Sequence, residues 1–280
     1  MTAPPTAHPA QPLIELIKAT KRFPGAGGTV HTAVRELTMD VKPGEFVSVV
    51  GPTGCGKSTA LSLVSGLQPA SAGQVLVNGT RVTSIPDGVG YMFQSDAVMP
   101  WRSVLDNVAS GPRFRGAGKA QAREQAADWV TRVGLAGFEG FYPHQLSGGM
   151  RKRVALAQTL VTNPRILLMD EPFSALDVQT RANMQDELLR LWAGSGAAVI
   201  FVTHDLDEAI ALADKVVVMT ASPATVKDVF TIPLERPRAV EELRLTTEFV
   251  RIYREIWESL RVEVDKTRQL GGARSVSRVS

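Results

Sequence analysis

Apolar runs four or five residues long recur along the chain, separated by turn-forming residues. Residues 166–169, 199–202 and 216–219 are apolar at consecutive positions, and residues 46–50 are apolar but for Ser48, the pattern of parallel strands covered on both faces. Residues 13–17 and 33–41 also read as strands. Leu76-Val77-Asn78-Gly79-Thr80-Arg81-Val82 carries the Asn-Gly signal of a tight hairpin. After 46–50, Ala60, Leu61, Val64 and Leu67 follow helical spacing. From about 95 to 160 the strand signal fades. There, 120–133 and 150–161 have helical periodicity, and 111–118 reads as a basic, Gly-rich loop. Phe249, Ile252, Tyr253, Ile256, Trp257 and Leu260 fall on one face of a further helix, expected to pack on its own domain. The pattern predicts an α/β fold: a mixed or parallel sheet core, an antiparallel β subdomain near the N-terminus and an inserted helical subdomain. The expected organisation is a disordered leader at 1–12, a domain over 13–235, a helical extension over 236–265 and a basic tail over 266–280.

Composition narrows the function classes. With 280 residues, 44% of them apolar and 21% charged, the chain is ordinary globular material able to bury a sizeable core. The formal net charge of +3 is too small to argue for nucleic acid. Part of it sits in the tail, where Arg261, Lys266, Arg268, Arg274 and Arg278 outnumber Glu263 and Asp265. The one cysteine, Cys55, excludes an internal disulfide and a multi-cysteine zinc site, and suits a reducing compartment. No apolar run approaches the ~20 residues needed to span a bilayer. The proline-rich first twelve residues lack the apolar stretch of a signal peptide. A membrane role would therefore run through a partner.

The chemistry concentrates in a few segments. Gly51-Pro52-Thr53-Gly54-Cys55-Gly56-Lys57-Ser58 fits Gly-x-x-x-x-Gly-Lys-Ser between a strand and a helix. Its glycines let the backbone wrap phosphates closely, and Cys55 fills a position that needs a small residue. Lys57 offers a cation to the β- and γ-phosphates, and Ser58 a hydroxyl to Mg²⁺. Thr59, next on the helix, joins the expected nucleotide contacts. The run Ile166-Leu167-Leu168-Met169-Asp170-Glu171 is an apolar strand ending in two acids, an arrangement unfavourable without a cation or a task. Asp170 is placed to support the Mg²⁺ shell, and Glu171 to polarise a water aimed at the γ-phosphorus. Leu146-Ser147-Gly148-Gly149 is a second Gly-rich helix start and a second plausible phosphate site. One nucleotide does not readily use both segments of a single copy. Two copies facing each other, each lending its second segment to the other's nucleotide, are therefore expected.

These segments together resemble the nucleotide-binding subunit of ATP-binding-cassette (ABC) transporters, from Leu13 to about Pro233. Leu146-Ser147-Gly148-Gly149 is similar to that family's signature motif, which implies contact of Ser147, Gly148 and Gly149 with the γ-phosphate on the opposing subunit. The resemblance further implies that Gln94 touches Mg²⁺ and reports to the membrane domain. By the same resemblance Ser174-Ala175-Leu176-Asp177 couples the two sites, His204 holds the γ-phosphate, and Phe23 stacks on adenine. It makes ATP and Mg²⁺ the cofactors, with Ser58, Gln94 and Asp170 around the metal and Glu171, His204, Lys57 and Gln94 as the catalytic set. The implied partners are a twin or second cassette, an integral membrane permease and, through the complex, an extracytoplasmic solute-binding protein, all organised at the cytoplasmic face of the membrane. Met150, the Arg151-Lys152-Arg153 run and Gln158 depart from the commonest pattern, beyond the phosphate-facing amides, and so bear on tuning. Pro100-Trp101, Met150 and the helix after Leu234-Glu235-Arg236-Pro237-Arg238 resemble importers of nitrate, aliphatic sulfonates and taurine. In these, residues 98–107 would meet the permease, with Trp101 a candidate anchor. An exporter ATPase uses the same parts and is the alternative. Soluble translation, chromosome or DNA-repair cassettes need two fused cassettes, a long coiled coil or several cysteines, none of which the sequence contains.

Overall fold

The computed structural model describes residues 11–95 and 97–276; the expected leader, apart from its last two residues, and the final four residues lie outside this range. The chain begins with strands β1 (Ile14–Pro24), β2 (Val30–Val41) and β3 (Phe46–Val50), then helix α1 (Lys57–Val64). Strands β4 (Ala72–Val77), β5 (Thr80–Arg81) and β6 (Val89–Met92) follow. Four helices come next: α2 (Val104–Val108), α3 (Ser110–Phe114), α4 (Lys119–Arg132) and α5 (Gly148–Leu160). Strand and helix then alternate through β7 (Ile166–Asp170), α6 (Val178–Trp192), β8 (Ala198–Val202), α7 (Leu206–Leu212), β9 (Lys215–Met219) and β10 (Val226–Thr231). Helices α8 (Val240–Leu243) and α9 (Thr247–Val276) close the described chain.

Two sheets result. A four-stranded antiparallel sheet runs β2-β1-β4-β5, and a six-stranded sheet runs β10-β9-β3-β8-β7-β6. In the second, β9, β3, β8, β7 and β6 are parallel and β10 is an antiparallel edge. Every residue of β3, β7 and β8 is buried, so these strands are almost wholly apolar, with Ser48 in β3 and Asp170 at the end of β7 the exceptions, because both faces are covered. The β4–β5 hairpin turns at Asn78 and Gly79, whose φ values of 51° and 70° suit a type I′ turn. One apolar cluster lies on the face of the large sheet that meets α6, α7 and α9. A second fills the space between its other face, α1 and the antiparallel sheet. A third holds the helical segment together, with Ala122, Ala126 and Val130 of α4 buried at four-residue spacing.

Three local expectations change. The stretch expected as a loop from Gly111 begins inside α3, because Pro112 sits in the first turn, where its missing N–H is no loss. Leu67 lies beyond the end of α1 and is half exposed. Helix α9 does not stop near Lys266 but continues to Val276, helped by Lys266–Glu263 and Arg268–Asp265 pairs three residues apart. On α9, Phe249, Ile252, Ile256 and Leu260 enter the main core, whereas Trp257, one position round the helix from Ile256, stays 41% exposed.

Candidate functional site

Parallel strands present their carboxyl ends at one edge of the sheet, where α/β folds place ligands. Here β3 leads into Gly51–Ser58, β6 into Gln94, β7 ends at Asp170 and passes to Glu171, and β8 passes to His204. Because β3, β8, β7 and β6 are neighbours in the sheet, segments more than a hundred residues apart meet. A cavity of about 390 Å³ is lined by Thr53, Gly54, Gly56 and Lys57, by Ser58 and Thr59 at the start of α1, and by Gln94, Glu171 and His204.

The loop takes a shape that only glycine allows at its tightest point. Gly56 has φ 129°, and a Cβ there would stand 2.8 Å from Ala33 O, so the loop hugs the antiparallel sheet. Lys57 is 5% exposed, and its Nζ donates to Gly51 O at 2.9 Å and Pro52 O at 3.2 Å. The ammonium is thus kept inside its own loop, bonded only to neutral carbonyls.

Ser58 Oγ donates to Asp170 Oδ1 at 3.0 Å. Burial pushes the Asp170 carboxyl up from its ordinary range; the Ser58 hydroxyl and Lys57 pull it back, while the Glu171 charge adds to the rise. A buried carboxylate under this strain gains from a nearby cation. Hydroxyl, carboxylate and amide oxygens from Ser58, Asp170 and Gln94, with room for phosphate, are the donor set a small hard divalent ion takes. Among the described residues no group of three or more His, Cys, Asp and Glu could form an all-protein cage. The residues therefore fit Mg²⁺ arriving with its nucleotide.

Glu171 sits at the centre. Its Oε2 accepts from Gln94 Nε2 at 3.2 Å and stands 3.2 Å from His204 Nδ1. Its backbone has φ 43°, a conformation that a glutamate adopts only under constraint. The constraint includes a hydrogen bond from Glu171 N to Val202 O at 2.9 Å.

Other expected residues do not join this cavity. Ser147 is exposed and caps α5, its Oγ accepting from Met150 N at 3.2 Å. Asp177 caps α6 by accepting from Thr180 N at 3.0 Å. The two caps are neighbours, since a Cβ on Gly149 would stand 2.7 Å from Thr180 Cγ2. Phe23 lies at the end of β1 with Lys21 Nζ 5.1 Å from its ring centroid, outside the residues lining this cavity. Trp101 is 73% exposed rather than core.

Two contributors escaped sequence reasoning. Lys152, within the run read as tuning, is buried and donates from Nζ to Gln94 O at 2.8 Å, fixing the backbone that carries the amide. Asn107 is fully buried, accepts from Met99 N at 2.7 Å and donates to Met99 O, Arg102 O and Ser103 O. It thereby shapes the loop that displays Trp101. Neither residue type in isolation signals such a role.

A family model described as ABC transporter matches residues 34–174, a span that contains the phosphate loop, the Ser147 segment and both acids. The chain belongs to the ABC transporter ATP-binding cassettes. It is 45% identical over 248 residues to an uncharacterized ABC transporter ATP-binding protein of Methanocaldococcus jannaschii, covering 89% of this cassette and 91% of that protein. It is 38% identical over 226 residues to the aliphatic sulfonates import ATP-binding protein SsuB of Bacillus cereus, covering 81% and 88%. Among solved structures it resembles the ATP-binding cassette MJ0796, described as a dimeric post-hydrolysis state bound to ADP and Pi. The TM-score is 0.71 at 29% identity, covering 79% of this cassette and all of that chain. The protein is accordingly an ATP-hydrolysing cassette of α/β fold, and cassettes of this kind form dimers. Among its described residues no helix is long and apolar enough to cross a membrane.

Proposed function

We propose that this cassette hydrolyses MgATP at two sites shared between paired copies and uses the cycle to drive import of a small solute, of the aliphatic sulfonate kind, through a partner permease. The observation that carries the reading is the division of the phosphate-binding groups. The loop, Gln94, Glu171 and His204 line one cavity, while Ser147 and Gly148 lie exposed outside it at a helix start. That second start gains an anion only from another copy. The dimeric cassette it resembles and the sulfonate-import relative support the same reading.

In this account the loop amides and Lys57 hold the β- and γ-phosphates, Lys57 leaving Gly51 O and Pro52 O to do so. Phe23 offers the aromatic face for adenine. Ser58, Asp170 and Gln94 hold Mg²⁺, which supplies charge neutralisation at the phosphates when bound. Glu171 accepts the proton of the water whose oxygen attacks the γ-phosphorus as the bond to ADP breaks. Gln94 and His204 fix the carboxylate, and His204 also reaches the γ-phosphate. Proton acceptance by a positioned base contributes about 10²- to 10⁴-fold in rate. Ser147, Gly148 and Gly149 of the second copy complete the donors around the γ-phosphate, and Asp177 sits beside them. Closure therefore depends on the intact triphosphate, and its cleavage releases the pair.

The permease would dock on the helical subdomain, where Trp101 is exposed and a cavity of about 300 Å³ is lined by residues that include Tyr91, Phe93, Phe114 and Gln158. The cassette would then be peripheral at the cytoplasmic face, with an extracytoplasmic solute-binding protein delivering to the permease. The test is Glu171→Gln: ATP binding is kept, hydrolysis falls at least about 10²-fold, and MgATP shifts the protein to a dimer on size exclusion. Near-normal turnover in that variant would overturn the assigned base.

A further inference from the structure

Arg181, in the first turn of α6, belongs to none of the motifs above, yet its guanidinium joins two of them. Nη2 donates to Leu176 O at 2.9 Å, within Ser174-Ala175-Leu176-Asp177. Nη1 donates to Asp205 Oδ2 at 3.1 Å, in the residue directly after His204. Nε is buried without a hydrogen bond, 3.8 Å from Glu208 Oε1. The other oxygen of Asp205 caps α7, accepting from Asp207 N at 2.9 Å and Glu208 N at 3.3 Å. On the far side of His204, Thr203 Oγ1 donates to Glu208 Oε2 at 2.6 Å and accepts from Asp205 N at 3.0 Å. Both chain neighbours of His204 are thus tied into the cluster that Arg181 touches. Glu208 is itself buried and accepts from Gln185 Nε2 at 3.1 Å.

We propose that Arg181 is a positioning residue that locks the Asp177 segment to the His204 loop, so that engagement of ATP in one site sets the segment its copy presents to the other site. The first link is within one chain and follows from the bonds above; the second rests on the two-copy reading of the proposed function. A guanidinium is planar, with its donors in a fixed fork. A shift of either loop therefore moves the other or breaks a charge-assisted hydrogen bond. A lysine at this position would keep the charge and lose the fork. A purely structural strut between α6 and α7 would instead change stability and every kinetic constant together.

The experiment compares Arg181→Met, Arg181→Lys, Asp205→Asn and the Arg181→Met/Asp205→Asn double variant in the full chain. Asparagine is chosen because it still caps α7. Thermal midpoint, affinity for a fluorescent ATP analogue, kcat and the Hill coefficient for ATP are read. Arg181→Met and Asp205→Asn should each lower kcat by at least about tenfold, as expected when a reacting group is misplaced by a fraction of an ångström to an ångström. Analogue affinity should stay within about threefold, and the Hill coefficient should fall to one. The double variant should be no worse than Arg181→Met alone. Arg181→Lys should recover the thermal midpoint but not kcat or the Hill coefficient. Additive losses in the double variant, or full recovery by lysine, would overturn the lock. If Arg181→Met fails to fold, a wild-type kcat and Hill coefficient in Asp205→Asn overturn it equally. A Hill coefficient of one in the wild type, with non-additive kcat losses, would instead sink the two-copy reading and leave the link within one chain standing.

Discussion

Glu171 Oε2 stands 3.2 Å from His204 Nδ1, and the glutamate reaches that point from a backbone held in the left-handed region at φ 43°. Strand β7 delivers Asp170 to the buried position beside Ser58, and the next residue must then turn sharply to aim at the cavity. A non-glycine residue in this region is strained by about 1–2 kcal/mol. Glu171→Gly and Glu171→Ala both remove the carboxylate, so the difference between them isolates the backbone. The glycine variant should be more stable by about 1 kcal/mol, read as a higher denaturant midpoint, with both variants inactive. Equal midpoints would show that the left-handed turn carries no strain.

Gly56 makes the opposite case. A methyl group there meets Ala33 O at 2.8 Å and Val34 Cγ2 at 3.2 Å, at a φ of 129°. Gly56→Ala should destabilise the fold by about 2 kcal/mol and abolish binding of a fluorescent ATP analogue, since the loop can relieve the clash only by leaving the antiparallel sheet. Retained binding with an unchanged midpoint would contradict the shape argument.

Much of this site was legible because its parts follow one strand or helix each. Short, almost wholly apolar runs mark β3, β7 and β8, and the residues just after them supply the loop, Glu171 and His204. Leu146-Ser147-Gly148-Gly149 announced the start of α5 as a Gly-rich segment, and Asn78-Gly79 announced the hairpin. What stayed hidden depends on contacts distant in sequence. Lys152 looks like one of three basic residues until α5 brings its ammonium to Gln94 O. Helix α3 was obscured by Gly111 and Pro112, which weigh against a helix except in its first turn. The helical end of α9 was obscured because it has charge pairs rather than an apolar stripe.

Cys55 is 2% exposed. Burial pushes its thiol up, and Lys57 pulls it back only in part. The folded state therefore holds the thiol proton more tightly than the unfolded chain does, and the stability linked to this group is lost as pH rises through the raised value. The native protein should react with N-ethylmaleimide at least about tenfold more slowly than the chain in denaturant. Its rate should still be rising with pH where an exposed thiol has levelled off. Fast labelling of the native protein at neutral pH would place Cys55 outside the closed loop.

The shared-site arrangement is tested most directly by mixing two inactive variants. Lys57→Ala disables the phosphate loop of its own copy, and Ser147→Ala disables the segment its copy lends. In a mixed pair one site inherits both defects and the other is intact. Turnover of the mixture should therefore rise well above that of either variant alone. A mixture whose turnover is the simple average of the two, despite verified heterodimers, would show that Ser147 serves its own chain and would contradict the account.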